Sequence, residues 1–296
     1  MSDCCLKFSK GGMYSTIQDG GREGFRKFGV PIGGFLDRRS AHLANKILGK
    51  EIDSPLIEIT LIGPEFVVVV GEINIVLTGP ETEFLINGEP AEMAKINSLK
   101  AGDIVKIGKV KYGCRAYLAF GGKLDIPKWL GSSSAAPLIA PIVTPWAIIK
   151  QDTLLRICHT DRLKINESNI KQNLVYKFPI EIHVTPGPEF HLFKKKQVHD
   201  FFKMEHEVSN ESNRMGLRLK AHFNPGEIKN MISSGVVPGT IQITETGIPI
   251  LLLADAQTTG GYLRFANVVD NDLDLCAQLK PGDQFIIKLE PGEETI

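Results

Sequence analysis

The sequence predicts a mainly β protein with a few helices, arranged as two β-barrel domains. Three observations carry that prediction. From Leu56 to Phe120 short apolar runs alternate with turn residues, the pattern of a barrel or sandwich built from many short strands. A second strand-rich half opens at Ile180. Two short motifs also recur: Gly63-Pro-Glu-Phe66 returns as Gly187-Pro-Glu-Phe190, and Lys100-Ala-Gly-Asp103 as Lys280-Pro-Gly-Asp283. The halves therefore read as related barrels, although the echoes lie 39 residues apart in one half and 95 in the other, so a simple tandem repeat is not established. At 296 residues the chain has room for two domains. A glycine-loop and barrel domain is expected over 1–160 and a second barrel over 174–296, with the boundary in the polar stretch Thr160–Asn173.

Taken in order, residues 14–36 show little hydrophobic periodicity and many glycines, and read as a long loop, a kind of segment that compact domains keep mainly for binding. Asp37–Leu48 reads as a helix. Ala41, Ala44, Ile47 and Leu48 share one face, Asp37 stands at the N-cap and Gly49 stops it. Strands follow at Phe66–Val70, Ile73–Leu77, Glu83–Ile86, Ile104–Ile107 and Ala116–Phe120, with Asn87-Gly88 as a two-residue hairpin turn. Gly131-Ser-Ser-Ser134 lacks the strand that a nucleophile elbow needs and reads as a flexible loop. In the second half a strand is expected at Ile180–Val184, and helices at Glu189 to about Lys203 and at Asn271–Leu279. Ile250–Ala254 is a short, wholly apolar strand. If it stays extended, Asp255 and Gln257 point to one face, ahead of Thr258, Thr259 and the pair Gly260-Gly261.

Composition narrows the function classes. Basic and acidic residues balance at 34 each, for a net charge of +0, which provides no footprint for nucleic acid or an anionic membrane. The run Lys194–Lys196 reads as a solvated helix face. Five scattered cysteines without a C-x-x-C pattern fit reduced thiols in a cytoplasmic protein. No leader-like apolar stretch or membrane-spanning run is seen. Neither a P-loop nor a dinucleotide-binding glycine motif is present, and the seven histidines lack metal-ligand spacing, so no metal site is expected. What accumulates instead is a set of loop-borne carboxylate, amide and guanidinium groups: Gln18, Asp19, Arg22, Asp37, Glu58, Arg115, Arg214, Gln242, Asp255 and Gln257. Such a set suits a small polar anion, since Arg grips a carboxylate with two donors, Asp moves a proton or holds Mg²⁺, and Gln steadies an oxyanion. It also suits ordinary surface ion pairs: Asp19 and Arg22 can pair across a turn, and helix capping alone accounts for Asp37.

Several segments together resemble one family. Thr16-Ile-Gln-Asp-Gly-Gly-Arg22, Gly29-Val-Pro-Ile-Gly-Gly-Phe-Leu-Asp37, Leu56-Ile-Glu-Ile-Thr60, Arg214-Met-Gly-Leu-Arg218, Val237-Pro-Gly-Thr-Ile-Gln242 and Ala254-Asp-Ala-Gln-Thr-Thr-Gly-Gly-Tyr262 are similar to the allophanate hydrolase subunit 2 family. That family includes the C subunit of bacterial 5-oxoprolinase, the KipA regulators and half of the urea carboxylase carboxyltransferase domain. The resemblance implies cyclophilin-like barrels and work beside two partner proteins, one KipI-like and one LamB/YcsF-like. It also implies ATP and Mg shared with those partners, and a small-molecule substrate, the lactam of 5-oxoproline, opened to glutamate. In that setting Asp255, Gln257 and Arg214 are expected as catalytic groups, with Arg214 as an anion clamp. Gln18, Asp19, Arg22, Asp37, Glu58, Arg115, Gln242, Thr258, Thr259, Gly260, Gly261 and Tyr262 are expected to bind substrate.

The chain departs from the family's pattern in two places. It has no glycine between Gly131 and Gly187, and it reads Ser212-Asn213-Arg214 where Ser-Asp-Arg is usual, a change that either frees the Arg214 guanidinium or re-pairs it. Two alternatives stand beside the oxoprolinase reading: a KipA-like regulator that binds a KipI-type kinase inhibitor, and a urea carboxylase-type carboxyltransferase half, for which the chain shows no Met-Lys-Met biotinylation site.

Overall fold

The computed structural model describes residues 3–136, 140–158, 176, 179–221, 223 and 231–292. The chain divides into two compact units, one of Met1–Arg22 with Gly33–Val175 and one of Glu23–Ile32 with Tyr176–Ile296. The glycine-rich segment Glu23–Ile32 thus groups with the second unit. The expected boundary stretch Thr160–Asn173 lies outside the described residues.

The first unit holds β1 (Cys4–Lys10), β2 (Tyr14–Gln18), α1 (Arg38–Ile47), β3 (Leu56–Thr60), β4 (Glu65–Val70), β5 (Glu72–Thr78), β6 (Thr82–Ile86), β7 (Glu89–Pro90), β8 (Asn97–Lys100), β9 (Ile104–Val110), β10 (Arg115–Phe120), β11 (Lys123–Leu124), the short α2 (Ala140–Val143) and β12 (Leu154–Cys158). They form a seven-stranded sheet ordered β11-β12-β1-β4-β9-β6-β7 and a five-stranded sheet ordered β2-β3-β10-β5-β8. One apolar core lies between them, with Leu6, Phe8, Phe66 and Val105 from the first sheet meeting Ile57, Ile75, Leu118 and Phe120 from the second. β10 shows why its sequence lacks polar alternation. Ala116, Leu118 and Phe120 enter that core, while Tyr117 and Ala119 on the opposite face pack under α1 against Ala41, Ala44 and Leu48. A strand covered on both sides has no solvent face to mark with polar residues.

The expected hairpin is present, with Asn87 at φ 54° and Gly88 at φ 84°, the left-handed pair of a type I′ turn. The expected loop over 14–36 is corrected at its start. Tyr14–Gln18 is a strand paired along its length with β3, and its Ser15, Thr16 and Gln18 are buried. Polar residues on both faces erase the apolar alternation that would have announced it.

The second unit contains β13 (Ile180–Pro186), α3 (Lys195–Lys203), β14 (His206–Glu207), β15 (Gly216–Arg218), β16 (Ser234–Gly235), β17 (Thr240–Ile243), β18 (Pro249–Leu252), β19 (Thr259–Gly260), β20 (Leu263–Val268), α4 (Asp270–Cys276) and β21 (Gln284–Leu289). Seven strands, ordered β14-β21-β13-β20-β17-β18-β15, make a curved half-barrel, and β16 with β19 forms a separate ribbon. The helix expected from Glu189 is broken into a single 3₁₀ turn, Phe190–Leu192, followed by α3. The core here is aromatic. Phe265 has Phe190, Phe193, Phe201 and Phe223 around it at ring-centroid distances of 4.5–5.5 Å, in the tilted and edge-on geometries that ring quadrupoles favour.

The repeated Lys-x-Gly-Asp motif is one turn built twice. Asp103 accepts from the Lys100 amide at 2.8 Å and Asp283 from the Lys280 amide at 3.0 Å, and Gly102 and Gly282 take φ 93° and 88°. Their amides donate to the carbonyls of Val68 and Val208 respectively.

Candidate functional site

The apolar strand β18 ends at Leu252 and does not stay extended. The Ala256 amide donates to the Leu253 carbonyl at 3.0 Å, closing a tight turn that carries Asp255. The expectation that Asp255 and Gln257 project side by side from a strand is therefore corrected. The ladder β15–β18 continues through backbone bonds from Leu253 to Met215 and from Asp255 to Arg214, at 2.9 and 3.2 Å. This sets the two side chains against each other. Arg214 Nε donates to Asp255 Oδ2 at 2.5 Å and Nη2 to Oδ1 at 3.2 Å, and the side chains are only 4% and 1% exposed. Two parallel charge-assisted bonds in a dry setting make a rigid fork. Asn213, which stands where the family usually has Asp, accepts from the Met215 amide at 2.8 Å and so shapes the turn that presents Arg214. The arginine is paired with Asp255.

Beside this fork lies an amide pair. Gln257 Nε2 donates to Gln242 Oε1 at 3.3 Å. Gln242 is fully buried, and its Nε2 has no hydrogen-bond partner. A Cβ on Gly260 would stand 2.8 Å from that nitrogen, so the glycine is there to let backbone approach the amide. Gly260 pairs with Ser234 across the β16–β19 ribbon, and Ser234 Oγ is likewise buried without a partner. An unsatisfied buried donor costs about 1–3 kcal/mol, so each of these groups calls for a partner, whether an ordered water or another bound molecule. Thr258 and Gly261 bracket the ribbon through carbonyls that accept from Val236 and Met231. Thr259 and Tyr262 are exposed along its edge.

In the first unit the structure gathers Asp37, Glu58 and Arg115 around Tyr117. The Tyr117 hydroxyl donates to Glu58 at 2.9 Å and accepts from the Asp37 amide at 2.7 Å. Glu58 also accepts from the Leu36 amide at 3.0 Å and has Arg115 Nε at 3.6 Å. Burial, reinforced by the Glu58 and Asp37 charges, pushes the Tyr117 phenol well above its usual range, so it remains a donor. Asp37 caps α1 through the Ser40 amide and hydroxyl at 3.0 and 2.7 Å. These expected substrate contacts fasten α1 and the loop before it to the sheet.

A third cluster surrounds Asp19, which accepts from the hydroxyls of Ser132 and Ser134 and the amide of Ser133, each at 2.6 Å. The Gly21 amide donates to it at 2.9 Å. Arg22 donates to the Ser134 carbonyl at 2.5 Å and lies 5.0 Å from the Trp129 ring centroid. All three serines are buried, which corrects the reading of 131–134 as a flexible loop. Gln18, at the end of β2, donates to Thr16 at 3.0 Å, while its Oε1 and the Ser133 hydroxyl are buried without partners.

The carboxyltransferase domain, subdomain A and B, family matches residues 28–289. The chain belongs to that family. It is 33% identical over 278 residues to the 5-oxoprolinase C subunit of Escherichia coli, covering 94% of this chain and 88% of that protein. It is 32% identical to the protein of the same name from Haemophilus influenzae, covering 90% and 85%. Among solved structures, the Kluyveromyces lactis urea amidolyase superposes with a TM-score of 0.86 at 28% identity over 97% of this chain, which spans only 19% of that protein.

Within this carboxyltransferase-family chain, sequence pattern singles out Arg214, Asp255, Gln242, Gln257 and Gly260 and misses Ser132, Ser133, Ser134 and Ser234. Three buried serines in a row leave no apolar or charged signature to follow. Among the described residues no three His, Cys, Asp or Glu side chains gather as a metal-binding set, and no helix is long and apolar enough to cross a membrane. The five cysteines are free thiols.

Proposed function

We propose that this chain is the C subunit of an ATP-dependent 5-oxoprolinase, active beside a KipI-like partner protein and a LamB/YcsF-like partner protein. The observation that carries the reading is the likeness to the 5-oxoprolinase C subunit along nearly the full length of both chains. Chemistry requires activation because a lactam carbonyl is resonance-stabilised. Its oxygen attacks the γ-phosphorus of ATP and ADP leaves. Water then adds to the activated carbon, the ring C–N bond breaks with the nitrogen taking a proton, and a second water displaces phosphate from the resulting acyl phosphate to give glutamate. Mg²⁺ would accompany the phosphates of ATP.

Three features of the second unit support a role in binding the lactam. The unpartnered Gln242 amide is a donor for the lactam oxygen, the Gly260 backbone packs close beside it, and Ser234 offers a further hydroxyl. Asp255 holds the Arg214 guanidinium in a fixed plane, which favours recognition of the substrate carboxylate over free rotation. The test is reconstitution: the purified chain with its two cognate partner proteins, ATP and 5-oxoproline should release glutamate and ADP together, and omission of this chain should abolish it. ADP and glutamate formation that persists without the chain refutes the proposal. Co-purification with a KipI-like protein in the absence of any turnover would favour a KipA-like regulator. Activity that requires biotin and bicarbonate would favour a urea carboxylase-type carboxyltransferase.

A further inference from the structure

A cavity of about 600 Å³ opens between α3, the 3₁₀ turn Phe190–Leu192 and β21, a volume typical of small-molecule sites. Its α3 wall is a single helical stripe: Lys195, Val198, His199, Phe202 and Lys203 fall at the i, i+3, i+4, i+7, i+8 spacing of one face. The stripe is apolar in the middle and cationic at its ends. Opposite it, Phe190 and Phe193 are shared with the aromatic core, and Ile287 and Leu289 come from β21. Only Phe201 of α3 is fully buried, so the helix spends this face on the cavity and not on the core.

Charge is one-sided. Lys195, Lys203, Lys288, His191 and His199 line the cavity, and no Asp or Glu does. Glu181 partly offsets one of the lysines, pairing with Lys288 at 2.7 Å. Lys195 and Lys203 bracket the apolar floor about 12 Å apart along the helix axis, from a rise of about 1.5 Å per residue. We infer that this cavity binds an amphipathic organic anion, a medium-chain carboxylate whose apolar tail lies on Val198 and Phe202 and whose head meets a lysine at the end of the stripe. The cavity is built from other residues than the Arg214–Asp255 fork and the Gln242 amide, and the inference stands apart from the oxoprolinase reading.

The full-length chain titrated calorimetrically with decanoate should show saturable one-site binding well below the concentration at which decanoate self-associates. Decan-1-ol, with the same tail and no charge, should bind about tenfold more weakly, and Lys195→Ala/Lys203→Ala should weaken decanoate by a similar factor while leaving the alcohol unchanged. Val198→Trp, a half-buried position on the cavity wall, should fill the cavity and remove binding, with an unchanged thermal melt showing that the fold persists. Equal affinity for acid and alcohol, undiminished binding to Val198→Trp, or uptake only where decanoate aggregates would each overturn the inference.

Discussion

Removing the Asp255 carboxylate should unfold the protein more than it disarms it. In Asp255→Ala the Arg214 guanidinium, 4% exposed, loses both of its bonds to the carboxylate and stays where water reaches it poorly. Breaking a buried ion pair from one side costs about 3–5 kcal/mol. For a protein of this size about 1 kcal/mol moves the melting temperature by roughly 2–4 °C, so the melt should fall by about 10 °C. Differential scanning calorimetry with urea unfolding reads this directly. Arg214→Leu/Asp255→Ala should recover part of the loss, because removing both charges leaves no orphan. A carboxylate that served only to face substrate would instead leave the melt untouched. If Asp255→Ala melts within about 1 °C of the parent, or the double variant is simply additive, the pair does not support the fold.

Gln242→Ala, which removes the unpartnered amide nitrogen together with the oxygen that accepts from Gln257, should lower turnover of the reconstituted complex by on the order of 10²-fold; unchanged kcat and KM would remove Gln242 from the site. Asp19→Ala deletes the acceptor of four hydrogen bonds and should cost about 2–4 kcal/mol, seen in urea unfolding and in faster amide exchange at Ser133. His206, buried against Phe201 and Phe285, has its imidazole pushed by burial down to about 4. The unfolded chain takes up a proton near its ordinary value of 6.5 and the native protein does not. This contribution is therefore complete above pH 6.5, falls as pH drops towards 4, and amounts to about 3 kcal/mol at most. Unfolding measured at pH 7.5 and 4.5 should show the loss, and His206→Phe should reduce it.

Most of the strand framework was legible because β4, β5, β9 and β10 carry apolar runs between strong turn residues, and because the Asn87-Gly88 pair admits little else. α1 was legible to its cap. Where the reading failed, burial had been given to polar groups. β2 hides Ser15, Thr16 and Gln18 inside the protein, and Ser132–Ser134 look like linker until Asp19 is brought to them by the fold. Pairing over distance is the common cause: Asp19 and Ser134 are 115 positions apart and Arg214 and Asp255 are 41 apart, beyond any local period. Sequence pattern found the residues at the end of β18 but had no means of choosing between a carboxylate aimed at a ligand and one consumed by an arginine.

The doubled Lys-x-Gly-Asp turn gives the chain an internal ruler. In the first half Phe66 of the Gly-Pro-Glu-Phe motif stands two positions before Val68, whose carbonyl receives the Gly102 amide. In the second, Phe190 stands eighteen before Val208, which receives Gly282. The added length is the rest of the 3₁₀ turn, α3 and β14. Measured this way, the helix that walls the basic-rimmed cavity occupies a length of chain that the first half does not have between the same two points. The same turn thus closes a direct run of strand in one half and a detour through a helix in the other.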